Sequence, residues 1–98
     1  MDLDNRISDK IKEAMKAKDI IRLETLRAIK SAIILVKTKS GEKKNLTDND
    51  ELVLLQKLAK QRRESSDIFK SQNRNDLANS EEAQLKIIQE FLPKQLDY

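Results

Sequence analysis

Apolar residues recur at helical spacing in four segments of this chain, separated by polar breaks. The densest apolar run extends from Ile20 to Val36. On a helical wheel its stripe comprises Leu26, Ile29, Ala32, Ile33 and Val36, with Ile21, Ala28 and Leu35 to one side and Leu23 and Ile34 beyond the other. A helix that is apolar on several sides needs several partners to cover it. The pattern therefore predicts a central helix, over about residues 19–39, around which the other segments pack.

The segment before the central helix predicts a first helix over about residues 2–18. Asp2 suits its N-terminal cap, and Asp19 suits the cap of the central helix, because a carboxylate accepts hydrogen bonds from unpaired N–H groups. The apolar face of this first helix comprises Leu3, Ile7, Ile11, Ala14 and Met15.

Two further helices are predicted after a polar loop at about residues 37–46. Thr47 and Asp50 have the spacing of a capping box that opens a third helix, over about 48–72. Asn73 suits a left-handed turn, and a fourth helix over about 76–92 should stop before Pro93. The expected core positions are Leu52, Leu55, Leu58, Ala59 and Phe69 in the third helix, and Leu77, Leu85, Ile88 and Leu92 in the fourth, with Phe91 at the edge. The short break implies an antiparallel hairpin, and the fold class is an all-α, compact bundle of about four helices.

The amino-acid composition favours helices and lacks the residue types that most catalytic sites use. The chain has one Gly, one Pro, no Cys and no His. Thiol nucleophiles, zinc-finger ligands and the usual general base are therefore absent from the sequence, and it has no glycine-rich phosphate loop. We expect a chain that is not an enzyme and that needs no cofactor or metal. Met1–Asp4 lacks an apolar signal core and carries acids unlike a mitochondrial presequence, which predicts a soluble cytoplasmic protein.

Charge is unevenly spread along the chain. The net charge is +3, yet residues 1–45 hold twelve Lys or Arg against seven Asp or Glu, whereas residues 46–98 hold eight against ten. This asymmetry indicates an anionic partner for the first half, or simply a solvated helical surface. The loop contributes Lys37, Lys39, Lys43 and Lys44 to the excess, and it too is either a phosphate contact or a solvated segment.

Basic side chains on the outer side of the third helix are the candidate nucleic-acid-binding residues. They are Lys57, Lys60, Gln61 and Arg63, to which Lys16 and Lys18 near the end of the first helix are added. Such a row can contact a phosphate backbone. Only Phe69, Phe91 and Tyr98 are aromatic, so the pattern favours recognition of a folded RNA by shape over stacking on single-stranded bases.

Two charges interrupt the apolar stripes of the third and fourth helices. Arg62 continues the stripe of Leu58 and Ala59, and Glu81 lies between Leu77 and Leu85. A charge on a packed face is costly unless it is paired. We predict a structural ion pair between Arg62 and Glu81, with a pocket for an anionic ligand at Arg62, or an Arg62 that reaches solvent, as the alternatives.

Several strings in the chain together resemble the YqeY family of the GatB/YqeY group, whose domain is also appended to the B subunit of tRNA-dependent amidotransferases. They are Ala14-Met15-Lys16-Ala17-Lys18-Asp19, Leu26-Arg27-Ala28-Ile29-Lys30-Ser31-Ala32-Ile33, Lys60-Gln61-Arg62-Arg63-Glu64-Ser65, Arg74-Asn75-Asp76-Leu77 with Glu81, and Phe91-Leu92-Pro93-Lys94-Gln95-Leu96. The sequence departs from the family at Asn73, usually Gly, and at Gln84, usually Glu.

The resemblance implies a helical domain over residues 1–92 and, from 93–98, the start of a linker toward a tail domain. In amidotransferases the related domain is similar to a tRNA-holding appendage, while the chemistry that amidates misacylated tRNA lies in other domains and subunits. We therefore expect a non-catalytic helical module that binds tRNA or an RNA-handling protein, with no membrane contact and no small-molecule substrate. A structural protein–protein module, docking through the first helix or the basic row, is the alternative.

Overall fold

The computed structural model describes residues 2–39 and 46–93, which form four helices. They are α1 (Leu3–Ala17), α2 (Ile20–Lys39), α3 (Asp48–Ser71) and α4 (Asn75–Gln89). Helix α2 packs against α1, α3 and α4. Helices α3 and α4 pack against each other as a hairpin. The predicted all-α bundle around a central helix is therefore confirmed. Lys37 and Lys39, which were expected in the polar loop, lie in the last turn of α2 instead. The interpretations of Lys43, Lys44 and the segment from residue 94 onward fall outside the described residues.

The predicted helix starts are confirmed by their hydrogen bonds. The Asp2 side chain accepts from the N–H of Asp4 at 3.0 Å. Asp19 Oδ1 accepts from the N–H of Arg22 at 3.1 Å, which satisfies a free donor in the first turn of α2. Thr47 and Asp50 form a complete capping box at the start of α3, with each side chain bonded to the other residue's backbone N–H.

Both hairpins close through a residue with left-handed backbone. Asn73 has φ 59°, as predicted, and the N–H of Arg74 donates to the carbonyl of Phe69 at 2.8 Å. Lys18 has φ 56° and makes the equivalent turn after α1. The sequence did not indicate Lys18 for this conformation, because left-handed backbone is sterically costly and Lys lacks the short polar side chain that allows Asn to adopt it.

The core lies where α2 meets the other helices. Leu26, Ile29 and Ile33 on α2 are fully buried. The other buried apolar residues around them are Leu3, Ile7 and Ala14 from α1, Leu54, Leu55 and Ala59 from α3, and Ile87, Ile88 and Phe91 from α4 or the turn after it. The prediction that Ile29 and Ile33 are buried is confirmed.

The sequence predicted that other helices cover α2 on several sides, but both edges of its apolar stripe are exposed. Ile20, Ile21, Ile34, Leu35 and Val36 are all exposed, as is Met15 on α1, which was expected in the core. Helix α3 covers only part of α2, and an open groove separates them beyond that contact. A helical wheel shows where apolar residues point, but it does not show how many helices the chain can place around them.

The end of α4 differs from the sequence prediction and changes the role of Phe91. The regular helix ends at Gln89, and the N–H groups of Phe91 and Leu92 donate to Ile88 and Gln89, three residues back. This tighter turn brings Phe91 into the core instead of its edge. The guanidinium of Arg6 lies 5.2 Å from the centroid of the Phe91 ring, so the turn also packs against α1.

Polar contacts fix α1 on the bundle. The Asp4 carboxylate is bound by Lys30 and by Lys37, the latter at 2.7 Å. The hydrogen bonds from these two ammonium groups lower the pKa of Asp4, and the bond to Asp4 raises the pKa of Lys37. At the start of α1, Glu51 of α3 accepts the N–H of Leu3 at 3.0 Å. These contacts tie α1 to both α2 and α3.

A second ion pair joins α2 to the end of α4. Two guanidinium nitrogens of Arg22 donate to the two carboxylate oxygens of Glu90, at 2.9 and 2.6 Å. The bonds from Arg22 lower the pKa of Glu90, and the same bonds raise the pKa of Arg22. The bidentate geometry sets the orientation of the two elements.

Candidate functional site

An open groove of about 390 Å³ lies between the C-terminal half of α2 and the N-terminal half of α3. Its lining is mainly aliphatic and comprises Ala32, Leu35 and Val36 from α2, and Asp50, Val53, Leu54, Lys57, Leu58 and Gln61 from α3. Leu35 is 66% exposed and Val53 is 54% exposed. Several neighbouring aliphatic side chains left in water mark a surface that gains stability when another molecule covers it.

The two charged side chains of the groove, Asp50 and Lys57, differ in whether they already bind another group of the protein. The Asp50 carboxylate accepts the backbone N–H of Thr47 within the capping box. Lys57 forms no ion pair with another described residue. Its exposed ammonium is therefore available to a carboxylate of an incoming molecule.

The six candidate nucleic-acid-binding residues are all exposed, but they do not form one surface. Lys57 and Gln61 line the groove beside α2. Arg63 lines a different cleft, between α3 and α4, and Lys16 and Lys18 lie at the end of α1. Lys60 is exposed on α3 and lines neither the groove nor the cleft. Their contact with nucleic acid stays a prediction.

The cleft between α3 and α4 contains a polar cluster that the sequence did not indicate. Ser66 is buried, and its hydroxyl donates to Glu82 Oε1 at 3.1 Å. Lys70 binds the same carboxylate, and the hydrogen bonds from Lys70 and Ser66 lower the pKa of Glu82. Ser66 and Glu82 thus satisfy each other's hydrogen-bonding groups across the hairpin.

Arg62 meets Gln84 and not Glu81. Its Nε donates to Gln84 Oε1 at 2.7 Å, and no ion pair links Arg62 to Glu81 among the described contacts. Both Arg62 and Glu81 are half-buried, so each retains some water. The predicted Arg62–Glu81 pair was therefore wrong in its partner, because Gln84, three residues along α4, supplies the acceptor.

Within residues 2–39 and 46–93, no group of three His, Cys, Asp or Glu side chains is placed to hold a metal ion. None of the helices described is long and apolar enough to cross a bilayer.

Comparison with known proteins finds relatives whose names give a location but no activity. "Altered inheritance of mitochondria protein 41, mitochondrial" of Vanderwaltozyma polyspora is 40% identical over 85 residues, which cover 84% of this chain and 44% of the relative. The proteins of the same name from Lachancea thermotolerans and Pyrenophora tritici-repentis are 38% and 34% identical, over 84% and 88% of this chain and 43% and 46% of their own lengths. This chain spans less than half the length of these relatives. Their names do not support the cytoplasmic expectation, and the location of this chain stays a prediction.

A family model gives the broadest match. The model described as "Yqey-like protein" matches residues 4–98, nearly the whole chain. The match agrees with the resemblance carried by the sequence strings, and it includes all four helices almost in full. The chain belongs to the YqeY-like family.

Proposed function

We propose that this chain is a non-catalytic helical module that docks a helical segment of a partner protein in the groove between α2 and α3. The observation that carries the proposal is the exposure of Leu35 and Val53 on facing walls of one open apolar groove. The sequence suggested the first helix or the basic row as docking surfaces, and of these residues only Lys57 and Gln61 line the groove.

The dimensions of the groove indicate the length of its occupant. Along α3 the lining runs from Asp50 to Gln61, which corresponds to about 16 Å of helix at about 1.5 Å per residue. A bound helix of about three turns fills this length. Helices that bind in grooves place aliphatic anchors at positions i, i+3 or i+4, and i+7. Lys57, which forms no ion pair with another described residue, adds a preference for a carboxylate close to one of these anchors.

A selection experiment tests this proposal without a known partner. A library of random peptides displayed on phage is first depleted of peptides that bind the Val53→Asp variant, because the added charge of this variant opposes an apolar ligand. The remaining peptides are then selected for binding to the wild-type chain. We expect the selected peptides to share the aliphatic helical spacing and an acidic residue. A synthetic peptide of that pattern should lose at least about tenfold in affinity for Leu35→Ser, because one large anchor contact is removed.

Ile68→Ser is the matched control for Leu35→Ser, because Ile68 is also an exposed aliphatic residue, 55% accessible, and lies outside the groove. Peptides that lack the pattern, or that bind Leu35→Ser and wild type equally, contradict the proposal. Sedimentation of the chain alone identifies a second copy as the occupant if a dimer forms that Val53→Asp dissociates.

RNA binding is the second candidate function, and a separate observation favours it. Lys60 and Arg63 are exposed on α3 and form no ion pair with another described residue. Both lie outside the groove, so they remain accessible to phosphates when the groove is filled. We infer a sequence-independent contact with a folded RNA such as tRNA, since phosphate contacts do not read bases.

Neutralising both residues should reduce the salt dependence of tRNA binding. Each lost phosphate contact lowers the slope of log affinity against log salt by about 0.7–0.9. The double variant Lys60→Gln/Arg63→Gln should therefore show a slope shallower by roughly 1.5, with little change in thermal stability because both side chains are exposed. Titration of tRNA at several salt concentrations measures this slope, with Arg27→Gln, at an exposed position of α2, as the control. Equal slopes for all three proteins contradict RNA contact through α3.

A further inference from the structure

The turn between α1 and α2 carries an exposed apolar cluster that the groove does not include. Met15 is 54% exposed, Ile20 is 68% exposed and Ile21 is 44% exposed, and the three lie within seven residues of one another. None of the three lines the groove between α2 and α3. Ile20 is the most exposed large apolar residue described in the chain. One exposed aliphatic residue is ordinary, whereas three at one end of a helical hairpin form a patch.

The backbone of this turn is fixed by hydrogen bonds. Lys18 has left-handed backbone, and its N–H donates to the carbonyl of Met15 at 3.2 Å. The N–H of Asp19 donates to the carbonyl of Ala14 at 3.1 Å. The Asp19 side chain then caps α2. The apolar residues are therefore held on a short, bonded turn at the end of the α1–α2 hairpin.

Some of the charged side chains near this turn form ion pairs or helix caps, and others do not. The nearby acids are Glu13, which pairs with Lys10 at 3.5 Å, Asp19, which caps α2, and Glu24, which is exposed one turn after Ile20. Arg22 is likewise paired, with Glu90. The exposed lysines of the turn, which form no ion pair with another described residue, are Lys12, Lys16 and Lys18. These three lysines outnumber the carboxylates of Asp19 and Glu24, so the charge outside ion pairs beside the apolar patch is positive.

In contrast to the expectation of no membrane contact drawn from the sequence, we propose that the α1–α2 turn binds the surface of an anionic lipid bilayer, with Met15, Ile20 and Ile21 entering the headgroup region. A bilayer interface buries aliphatic side chains, and its anionic headgroups attract the lysines beside them. Lysine stems can lie along apolar surface while their ammonium groups stay with phosphates. RNA offers phosphates to Lys16 and Lys18, but it gives no comparable burial to Ile20. The exposed aliphatic residues therefore favour a lipid surface over nucleic acid at this turn.

Sedimentation with lipid vesicles tests the proposal on the full chain. We expect binding to phosphatidylcholine vesicles that contain phosphatidylserine and much weaker binding to phosphatidylcholine alone. Lys16→Gln and Lys18→Asn should each lower the partition coefficient about fivefold, since one cation near an anionic surface is lost. Asn is chosen at position 18 because it tolerates left-handed backbone. Ile20→Ser should lower partitioning by about tenfold through loss of aliphatic burial.

Matched controls lie on α3. Ile68→Ser removes an aliphatic residue of similar exposure, and Lys60→Gln removes an exposed lysine, so both should bind vesicles as wild type does. Absence of vesicle binding overturns the proposal, as does equal binding by Ile20→Ser and wild type. If tRNA binding falls with Lys16→Gln and Lys18→Asn while vesicle binding does not, the turn contacts nucleic acid and the proposal is wrong. The groove variant Leu35→Ser should leave vesicle binding unchanged, which separates this test from that of the docking groove.

Discussion

Replacing Ile33 by alanine should lower the free energy of unfolding by about 2–4 kcal/mol. Ile33 is fully buried on α2, within the core that all four helical segments share. Truncation removes apolar burial and leaves a cavity that four packed elements cannot easily fill. Urea unfolding followed by circular dichroism measures the change, with the slope of the transition checked for constancy.

The next residue along the chain supplies a matched control. Ile34 is 49% exposed, so Ile34→Ala removes the same atoms from the same helix without creating an internal cavity. We expect that variant to lose less than about 1 kcal/mol. Similar losses for the two variants would contradict the central position of α2 in the core.

Replacing Asp4 by asparagine should lower the free energy of unfolding at neutral pH by about 1–2 kcal/mol. Charge-assisted hydrogen bonds contribute about 1.5–3 kcal/mol, and partial exposure of the three side chains reduces that value. The variant leaves Lys30 and Lys37 beside each other without a carboxylate between them. Asp4→Ala should cost at least as much, since it removes all acceptor oxygens. Urea unfolding at several pH values measures both effects.

The pH dependence of this difference has a defined sign. The folded-state pKa of Asp4 is lowered by Lys30 and Lys37, relative to an unfolded value of about 3.9. Its contribution to stability is therefore fully present above the unfolded pKa and is lost as the pH falls through the folded pKa. We expect the wild type and Asp4→Asn to converge in stability in strong acid and to differ most above about pH 5. A difference that does not change with pH would show that Asp4 acts through packing alone.

The sequence was most informative about helix ends and about the centre of the core. Thr47 with Asp50, and Asn73 at its left-handed turn, follow from local chemistry that needs no tertiary partner. Ile29 and Ile33 follow from helical periodicity, because the middle of an apolar stripe is buried in almost any arrangement of neighbours. These features are set within one or two turns of helix.

Residues at the margins of the stripes depend on how the helices are arranged, and the sequence could not place them. Val36 lies in the predicted core stripe, yet it is 40% exposed because α3 does not cover it. Phe91 was placed at the edge but is buried by the turn that ends α4. Arg62 was assigned a charged partner, whereas a neutral amide one turn away has the better position. The groove lies at these margins, and three of its lining residues, Ala32, Val36 and Leu58, had been assigned to the core.

The two left-handed turns at Lys18 and Asn73 have a consequence for the order in which the chain folds. Each turn joins two helices through three residues or fewer between their ends, so each hairpin closes with little loss of chain entropy. Contacts between α2 and α4 connect residues much farther apart along the chain. We therefore expect the α3–α4 hairpin, with its extensive internal packing, to form early and the docking of α2 onto α4 to limit the folding rate.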